Sequence, residues 1–150
     1  MGVTLDEKDL KILDVLRENS KLSTQQISKR TLIPITTIHN RVKKLEREGV
    51  IQKYTIVCDK KKIGKNIQAY ILVIVDYKFL KKNKIFQDEL AAQIKKHPMV
   101  DEVYLVTGIA DILLKVSVRD IERLNKFLIK ELRNIDGVER TQTLVILKEI

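Results

Sequence analysis

The chain has 150 residues, of which 44% are hydrophobic, and a formal net charge of +9. No apolar run approaches the roughly 18 residues that a membrane-spanning helix needs, and a charged segment starts near residue 6 in place of a secretion signal, so we expect a cytoplasmic protein without a membrane partner. The single cysteine, Cys58, excludes an intrachain disulfide, and no zinc-ligand spacing or glycine-rich nucleotide motif occurs, so we predict no metal, cofactor or catalytic centre.

The positive charge is concentrated in the first part of the chain. Residues 1–62 contain 14 Lys or Arg against 8 Asp or Glu, a balance of +6, whereas residues 63–150 contain 15 against 12, a balance of +3. A basic first domain is typical of proteins that bind a polyanion such as DNA. The alternative is that the lysine content only reflects the composition of the source.

Two helices are predicted before residue 32. Asp6, with Asp9 three residues later, caps the first helix, whose apolar face carries Leu5, Ile12, Leu13 and Leu16. Ser23 and Gln26 form a capping box that begins the second helix. The segment Leu32-Ile33-Pro34 ends it, and Pro34 suits the first turn of a third helix.

The third predicted helix, residues 35–48, has one apolar and one polar side. Its apolar stripe consists of Ile35, Ile38, Val42 and Leu45. The other side carries groups that reach phosphates and base edges in a DNA major groove, with Lys44 on phosphates: Thr36, Thr37, His39, Asn40, Lys43, Lys44 and Arg47. This pattern predicts a helix-turn-helix domain over residues 1–58, closed by Gly49 and a strand at 50–57. The alternative is a solvated basic surface helix.

The second half has a different pattern. A basic hinge is expected at residues 59–65, and a second domain at 66–150 with strands at 68–77, 100–106, 112–118 and 141–147 and helices at 84–97 and 120–134. The order strand, helix, strand, strand, helix, strand predicts an α+β ferredoxin-like βαββαβ domain with both helices on one sheet face. Residues that make both sheet faces apolar predict a homodimer: Ile71, Val73, Val103, Leu105, Leu113 and Leu144.

Four segments follow one another along the chain in a specific order: LDEKDLKIL, TIHNRVKKLEREGVI, LVTGIADILLKVSVRD and GVERTQTLVIL. Through these segments the chain resembles, over its whole length, the Lrp/AsnC family of transcription regulators. The resemblance implies a winged helix-turn-helix that binds double-stranded DNA, with Arg41 also near DNA and on phosphates, and a second domain that forms dimers and then tetramers or octamers. One departure is the turn, where the family has glycine, leucine and serine and this chain has Leu32, Ile33 and Pro34.

The resemblance also implies an amino-acid effector site at a glycine-bearing hairpin. The matching residues are Thr107, Gly108, Ile109, Ala110 and Asp111, with Thr141 and Thr143 as wall residues. Gly108 would let backbone N–H groups approach the effector carboxylate, and Asp111 would bind its ammonium group. The alternative is that Gly108 only permits a positive φ and Asp111 only accepts hydrogen bonds from the backbone.

We predict a sequence-specific transcription regulator that is modulated by an amino acid. A DNA-compacting protein without an effector is the alternative. Siroheme decarboxylases share the two-domain architecture, but they would need side chains that converge on a porphyrin-sized pocket. His39 lies on the DNA-facing helix and His97 beside a helix end, so we do not predict an enzyme.

Overall fold

The protein is described by a computed structural model, which covers residues 4–149. The chain divides into two compact units between Val57 and Cys58. Residues 59–65, the predicted hinge, belong to the second unit. None of the helices in the described part of the chain is both long and apolar enough to span a membrane.

The first unit is built from three helices: α1 (Glu7–Glu18), α2 (Thr24–Thr31) and α3 (Ile35–Arg47). The predicted capping box of Ser23 and Gln26 forms at α2, and Asp6, which was predicted to cap α1, forms a second capping box with Asp9. The helices enclose a small core of five buried residues: Ile12, Ile27, Ile33, Ile38 and Leu45. This is the three-helix arrangement that the sequence predicted.

The strand predicted at residues 50–57 does not form in the structure. Ile51 donates a backbone hydrogen bond to Leu45 at 3.0 Å, and the rest of the segment has no strand partner among residues 4–149. Val57 is 99% exposed. Alternation of apolar and polar residues is not sufficient for a strand, because a strand also needs a neighbour to which its N–H and C=O groups can bond.

The second unit contains one antiparallel sheet of four strands: β1 (Ile67–Val75), β2 (Val100–Leu105), β3 (Ile112–Val118) and β4 (Val138–Val145). The strand order is β2-β3-β1-β4, as the ferredoxin-like fold requires. Helix α6 (Ile121–Lys126) continues as a π-helical segment at 127–131 and a 3₁₀ turn at 132–134, so one helical element links β3 to β4.

The helical connection between β1 and β2 differs from the prediction. A single helix was expected at 84–97, whereas the chain forms α4 (Tyr77–Asn83) and then α5 (Gln87–Lys95). Asp76 caps α4 by accepting a hydrogen bond from the Phe79 N–H at 2.9 Å, and Lys84 ends it with a φ of +56°. A helix of seven residues is too short to show helical periodicity, so its first residue, Tyr77, was assigned to the preceding strand.

The two faces of the sheet have different environments. Side chains that alternate along β1, Ala69, Ile71, Val73 and Val75, are buried against the helices with Ile112 and Leu114 of β3. The opposite face presents residues that are only half-buried: Tyr70, Leu72, Ile74 and Leu113. The prediction that Ile71 and Val73 serve a second copy is therefore wrong, because they already belong to the core of one chain.

Candidate nucleic-acid interface and effector hairpin

Helix α3 presents a polar and basic surface to solvent. Ile38 and Leu45 are fully buried on one side, which fixes how the helix is rotated. The residues exposed on the other side are Thr36, His39, Asn40, Lys43 and Arg47, and Thr37 and Lys44 are half-buried at its margins. No acidic residue lies between positions 35 and 45, so this part of the surface attracts anions.

Arg41 has a structural contact that the sequence reasoning missed. Its Nη1 lies 2.6 Å from Asp6 Oδ2 and 2.8 Å from Asp9 Oδ1, and Asp9 is almost completely buried. The hydrogen bond from Arg41 lowers the pKa of Asp6, and the two carboxylates raise the pKa of Arg41. The assignment of Arg41 to DNA phosphates is therefore corrected: this side chain connects α3 to the start of α1.

A second contact supports the C-terminal end of α3. The Tyr54 hydroxyl donates a hydrogen bond to Glu46 Oε1 at 2.7 Å, and burial together with this bond raises the pKa of Tyr54 to about 12. Arg47 lies 3.5 Å from Glu48 Oε1, but its side chain remains 74% exposed and accessible to a ligand. The sequence contains one signal for the Tyr54 contact. The chain turns back at Gly49, so a residue a few positions later can reach the end of α3.

The turn before α3 forms without the glycine and serine of the family pattern. Leu32 has a φ of +58°, the left-handed conformation in which glycine is usual, and its side chain is 90% exposed. The Ser28 hydroxyl donates to the Ile33 carbonyl at 2.6 Å, and the Pro34 carbonyl accepts the first hydrogen bond of α3 from Ile38. The turn geometry is thus kept by other residues.

The hairpin between β2 and β3 exposes its tip. Thr107, Gly108 and Ile109 are exposed, and Ile109 has 81% of its surface in solvent. Gly108 has a φ of +113°, which is strained for any other residue. Ala110 is buried and anchors the base of the hairpin.

Asp111 is held by several hydrogen bonds within the protein. Its Oδ2 accepts from the Val75 N–H at 2.9 Å, and its Oδ1 accepts from the Tyr77 hydroxyl at 2.8 Å, which raises the pKa of Tyr77. Its backbone carbonyl accepts from Gln87 Nε2 at 2.8 Å. These bonds favour the alternative in which Asp111 fixes the hairpin, rather than binding an ammonium group.

The two predicted wall residues on β4 lie on the helix side of the sheet. Thr141 is opposite Val73 and Thr143 is opposite Ile71 in the β1–β4 register, and both β1 partners are core residues. The Thr141 hydroxyl accepts a hydrogen bond from Arg133 Nε at 3.0 Å. The side chain of Thr143 therefore faces the helices and not the open side of the sheet.

A concavity of about 600 Å³ lies beside the hairpin tip on the open face. It is bordered by Leu72, Ile74, Ile109, Arg140, Thr141 and Gln142. Arg140 forms no ion pair with any residue of the described range 4–149. Of the two predicted wall residues, Thr141 borders this concavity and Thr143 does not. Arg140 and Gln142, which alternate with the threonines along β4, were not predicted.

Comparisons with known proteins match both units. A winged helix-turn-helix DNA-binding family model matches residues 5–52, and the Lrp/AsnC ligand binding domain model matches residues 69–150. The HTH-type transcriptional regulator FL11 of Pyrococcus furiosus is 39% identical over 144 residues, which cover 96% of this chain and 90% of FL11. FL11 of Pyrococcus horikoshii is also 39% identical, over 99% of this chain and 93% of its own length.

Solved structures give the same result. A transcriptional regulator of Neisseria meningitidis in complex with L-Met has a TM-score of 0.89 and 31% identity, covering 98% of this chain and 92% of that one. Escherichia coli AsnC has a TM-score of 0.84 and 27% identity, covering 98% and 95%. These relatives are transcriptional regulators and not enzymes, and this chain is similar to them over nearly its whole length. The protein is a transcriptional regulator with a DNA-binding and a ligand-binding domain, and it belongs to the Lrp/AsnC family.

Proposed function

We propose that the protein is a cytoplasmic, sequence-specific regulator whose dimer binds double-stranded DNA through α3. The observation that supports this most strongly is the exposed side of α3, on which Thr36, His39, Asn40 and Lys43 face solvent without a neighbouring acid. Hydroxyl, amide and basic side chains on one helix face can contact both base edges and phosphates.

The test is a footprint followed by an affinity measurement on the protected site. Asn40→Ala should weaken binding to that site by about 1–3 kcal/mol, because an amide that reads a base edge is lost, while binding to unrelated DNA changes little. Gln93→Ala, which removes an exposed amide from α5, is the matched control. Uniform protection of all DNA, unaffected by Asn40→Ala, would instead favour the DNA-compacting alternative.

The dimer is proposed to form through the open face of the sheet. Tyr70, Leu113 and Leu144 form an apolar patch there, outside the concavity beside the hairpin, and within residues 4–149 no helix of the second unit covers it. Leu113→Lys should weaken the dimer by about 3 kcal/mol or more, because a charge would be buried without a partner. Sedimentation of the full chain measures the change, and Lys78→Glu on exposed α4 is a control. A parent protein that sediments as a monomer at micromolar concentration would contradict the proposal.

An amino acid is the proposed effector, and the concavity beside the hairpin is its proposed site. The support is the match to a ligand-binding domain and the L-Met complex of the Neisseria meningitidis regulator. Arg140 could bind the carboxylate, Gln142 could contact polar groups, and Ile109 with Leu72 offers an apolar wall.

Calorimetry with each of the twenty amino acids tests this site. Arg140→Gln should weaken the binding of any ligand by about 1.5–3 kcal/mol, because a charge-assisted hydrogen bond is lost. Arg17→Gln removes an exposed arginine from the first unit and should leave the heat unchanged. Equal affinity in the parent and in Arg140→Gln would place the site elsewhere. If the ligand changes the affinity for DNA, DNA must change the affinity for the ligand by the same factor.

A further inference from the structure

A second concavity, of about 470 Å³, lies on the second unit and shares no residue with the concavity beside the hairpin. Four of its lining residues carry positive charge and none carries negative charge: Lys65, Arg119, Arg123 and Lys126. They come from the turn before β1, from the end of β3 and from α6. Three separate segments thus bring cations to one opening.

Lys65 is oriented by an acid that lies outside the lining. Its Nζ is 3.3 Å from Asp101 Oδ1, while Lys60 Nζ is 3.1 Å from Asp101 Oδ2. Ser117 also donates its hydroxyl hydrogen bond to this carboxylate. Burial tends to raise the pKa of Asp101, but these hydrogen bonds lower it overall. Two lysines therefore share one carboxylate, which leaves positive charge in excess.

The two arginines of the lining, Arg119 and Arg123, are also oriented by carboxylates. Arg123 makes a bidentate contact with Glu131, at 2.7 Å from Nη1 to Oε1 and 3.1 Å from Nη2 to Oε2. The same carboxylate is 2.7 Å from His97 Nε2. Arg119 Nε lies 2.7 Å from Asp120 Oδ2. These contacts leave the remaining N–H groups of each guanidinium for a ligand and reduce the flexibility that binding would otherwise have to remove.

Lys126 has no acidic partner within 4.0 Å among residues 4–149, and its side chain is exposed. Across the whole cluster, five cations (Lys60, Lys65, Arg119, Arg123, Lys126) face three carboxylates (Asp101, Asp120, Glu131). The excess is matched by a ligand with about two negative charges and several acceptor oxygens, which describes a phosphate group better than a carboxylate.

We propose that this concavity binds a phosphate group, either that of a phosphorylated small molecule or that of the DNA backbone. Its volume is within the range of about 300–1,000 Å³ that is typical of small-molecule sites, so a phosphate with an attached organic group fits. The site is distinct from the effector concavity and from α3, and it gives the second unit a way to respond to, or hold, phosphate.

Lys126→Glu in the full chain is the test, with Lys130→Glu as the matched control. Both lysines are exposed on the same helical element, but only Lys126 lines the concavity. Inorganic pyrophosphate is titrated calorimetrically, and a 60-base-pair duplex is titrated in parallel. Lys126→Glu should weaken pyrophosphate binding by roughly tenfold or more, because one charge-assisted contact is lost and a repulsive charge is added, while Lys130→Glu stays near the parent.

The two ligands separate the two sources of phosphate. Loss of pyrophosphate affinity in Lys126→Glu alone identifies a small phosphorylated ligand, whereas a selective loss of duplex affinity without pyrophosphate binding identifies the DNA backbone. Lys126→Gln, which removes the charge without reversing it, should show a smaller loss in the same direction. The proposal is overturned if neither ligand responds to Lys126→Glu, or if Lys130→Glu causes an equal loss.

Discussion

The lysines of α3 and the acid of the hairpin at residues 107–111 differ in whether they bond to other groups of the protein. On α3, Lys43 and Lys44 form no ion pair within residues 4–149, so their charges are available to a ligand. In the hairpin, Asp111 is the one charged residue, and its carboxylate accepts hydrogen bonds from the protein, while the exposed tip carries the apolar Ile109.

This difference shows how each region can recognise a ligand. A surface for a polyanion needs accessible positive charge, and one regular helix supplies it. A hairpin tip supplies shape and backbone groups, so a charge for a small ligand has to come from a neighbouring strand. Arg140 on β4 borders the concavity beside the hairpin tip.

Asp111→Ala should destabilise the second unit by roughly 2–3 kcal/mol, because it leaves the Val75 N–H and the Tyr77 hydroxyl without their charged acceptor. Chemical denaturation of the full chain measures this change, and Asp136→Ala, at an exposed residue before β4, is the control. An Asp111→Ala protein with parental stability but no effector binding would show that the carboxylate binds ligand, as the family resemblance implied, and would remove the contrast between the two regions.

Arg41→Gln tests the basic side chain of α3 that forms ion pairs with α1 and its cap. If Arg41 contacted DNA phosphate, its loss would reduce the slope of log affinity against log salt by about one, as is expected for Lys44→Ala. We expect the slope to stay unchanged in Arg41→Gln and the melting temperature to fall instead. Arg30→Gln, which removes an exposed arginine 3.7 Å from Glu18, should affect neither quantity strongly.

The same variant has a defined pH dependence. Arg41 lowers the pKa of Asp6 below its ordinary value of 3.8. The ion pair therefore stabilises the folded protein above about pH 3.8, and this contribution is lost as the pH falls through the lowered pKa. The difference in melting temperature between the parent and Arg41→Gln should therefore become smaller as the pH falls below 3.8. A constant difference over this range would exclude the Arg41–Asp6 ion pair as its cause and leave the contact with Asp9.

Local sequence patterns were enough for the three helices of the first unit and for β3, which was predicted at its observed bounds of 112–118. They failed where a contact depends on residues far apart in the chain. Arg41 and Asp9 are 32 positions apart, and nothing near either residue indicates the other. Arg140 and Thr141 are neighbours on β4, so only the register with β1 decides which one faces the hairpin. Segment 50–57 looked like a strand, but its own alternation does not supply a partner.

The smallest predicted effect concerns the turn before α3, where Leu32 takes the left-handed conformation at φ +58°. A residue with a Cβ atom loses about 1–2 kcal/mol in this conformation, whereas glycine loses about 0.5–1 kcal/mol of backbone entropy on folding. Because the Leu32 side chain is 90% exposed, its removal should cost little burial. Leu32→Gly should therefore stabilise the first unit by about 0.5 kcal/mol, the net of these two costs.

Leu32→Ala separates the backbone from the side chain. Alanine removes the exposed side chain but keeps the Cβ atom, so the left-handed strain remains and no gain is expected. Denaturation curves of the three proteins, compared at equal slope, measure the difference. If Leu32→Ala were stabilised as much as Leu32→Gly, exposure of the leucine rather than backbone strain would be the cause. If only the glycine variant gains, this chain keeps the turn of the family at a small energetic cost, with the Ser28 and Pro34 contacts maintaining its geometry.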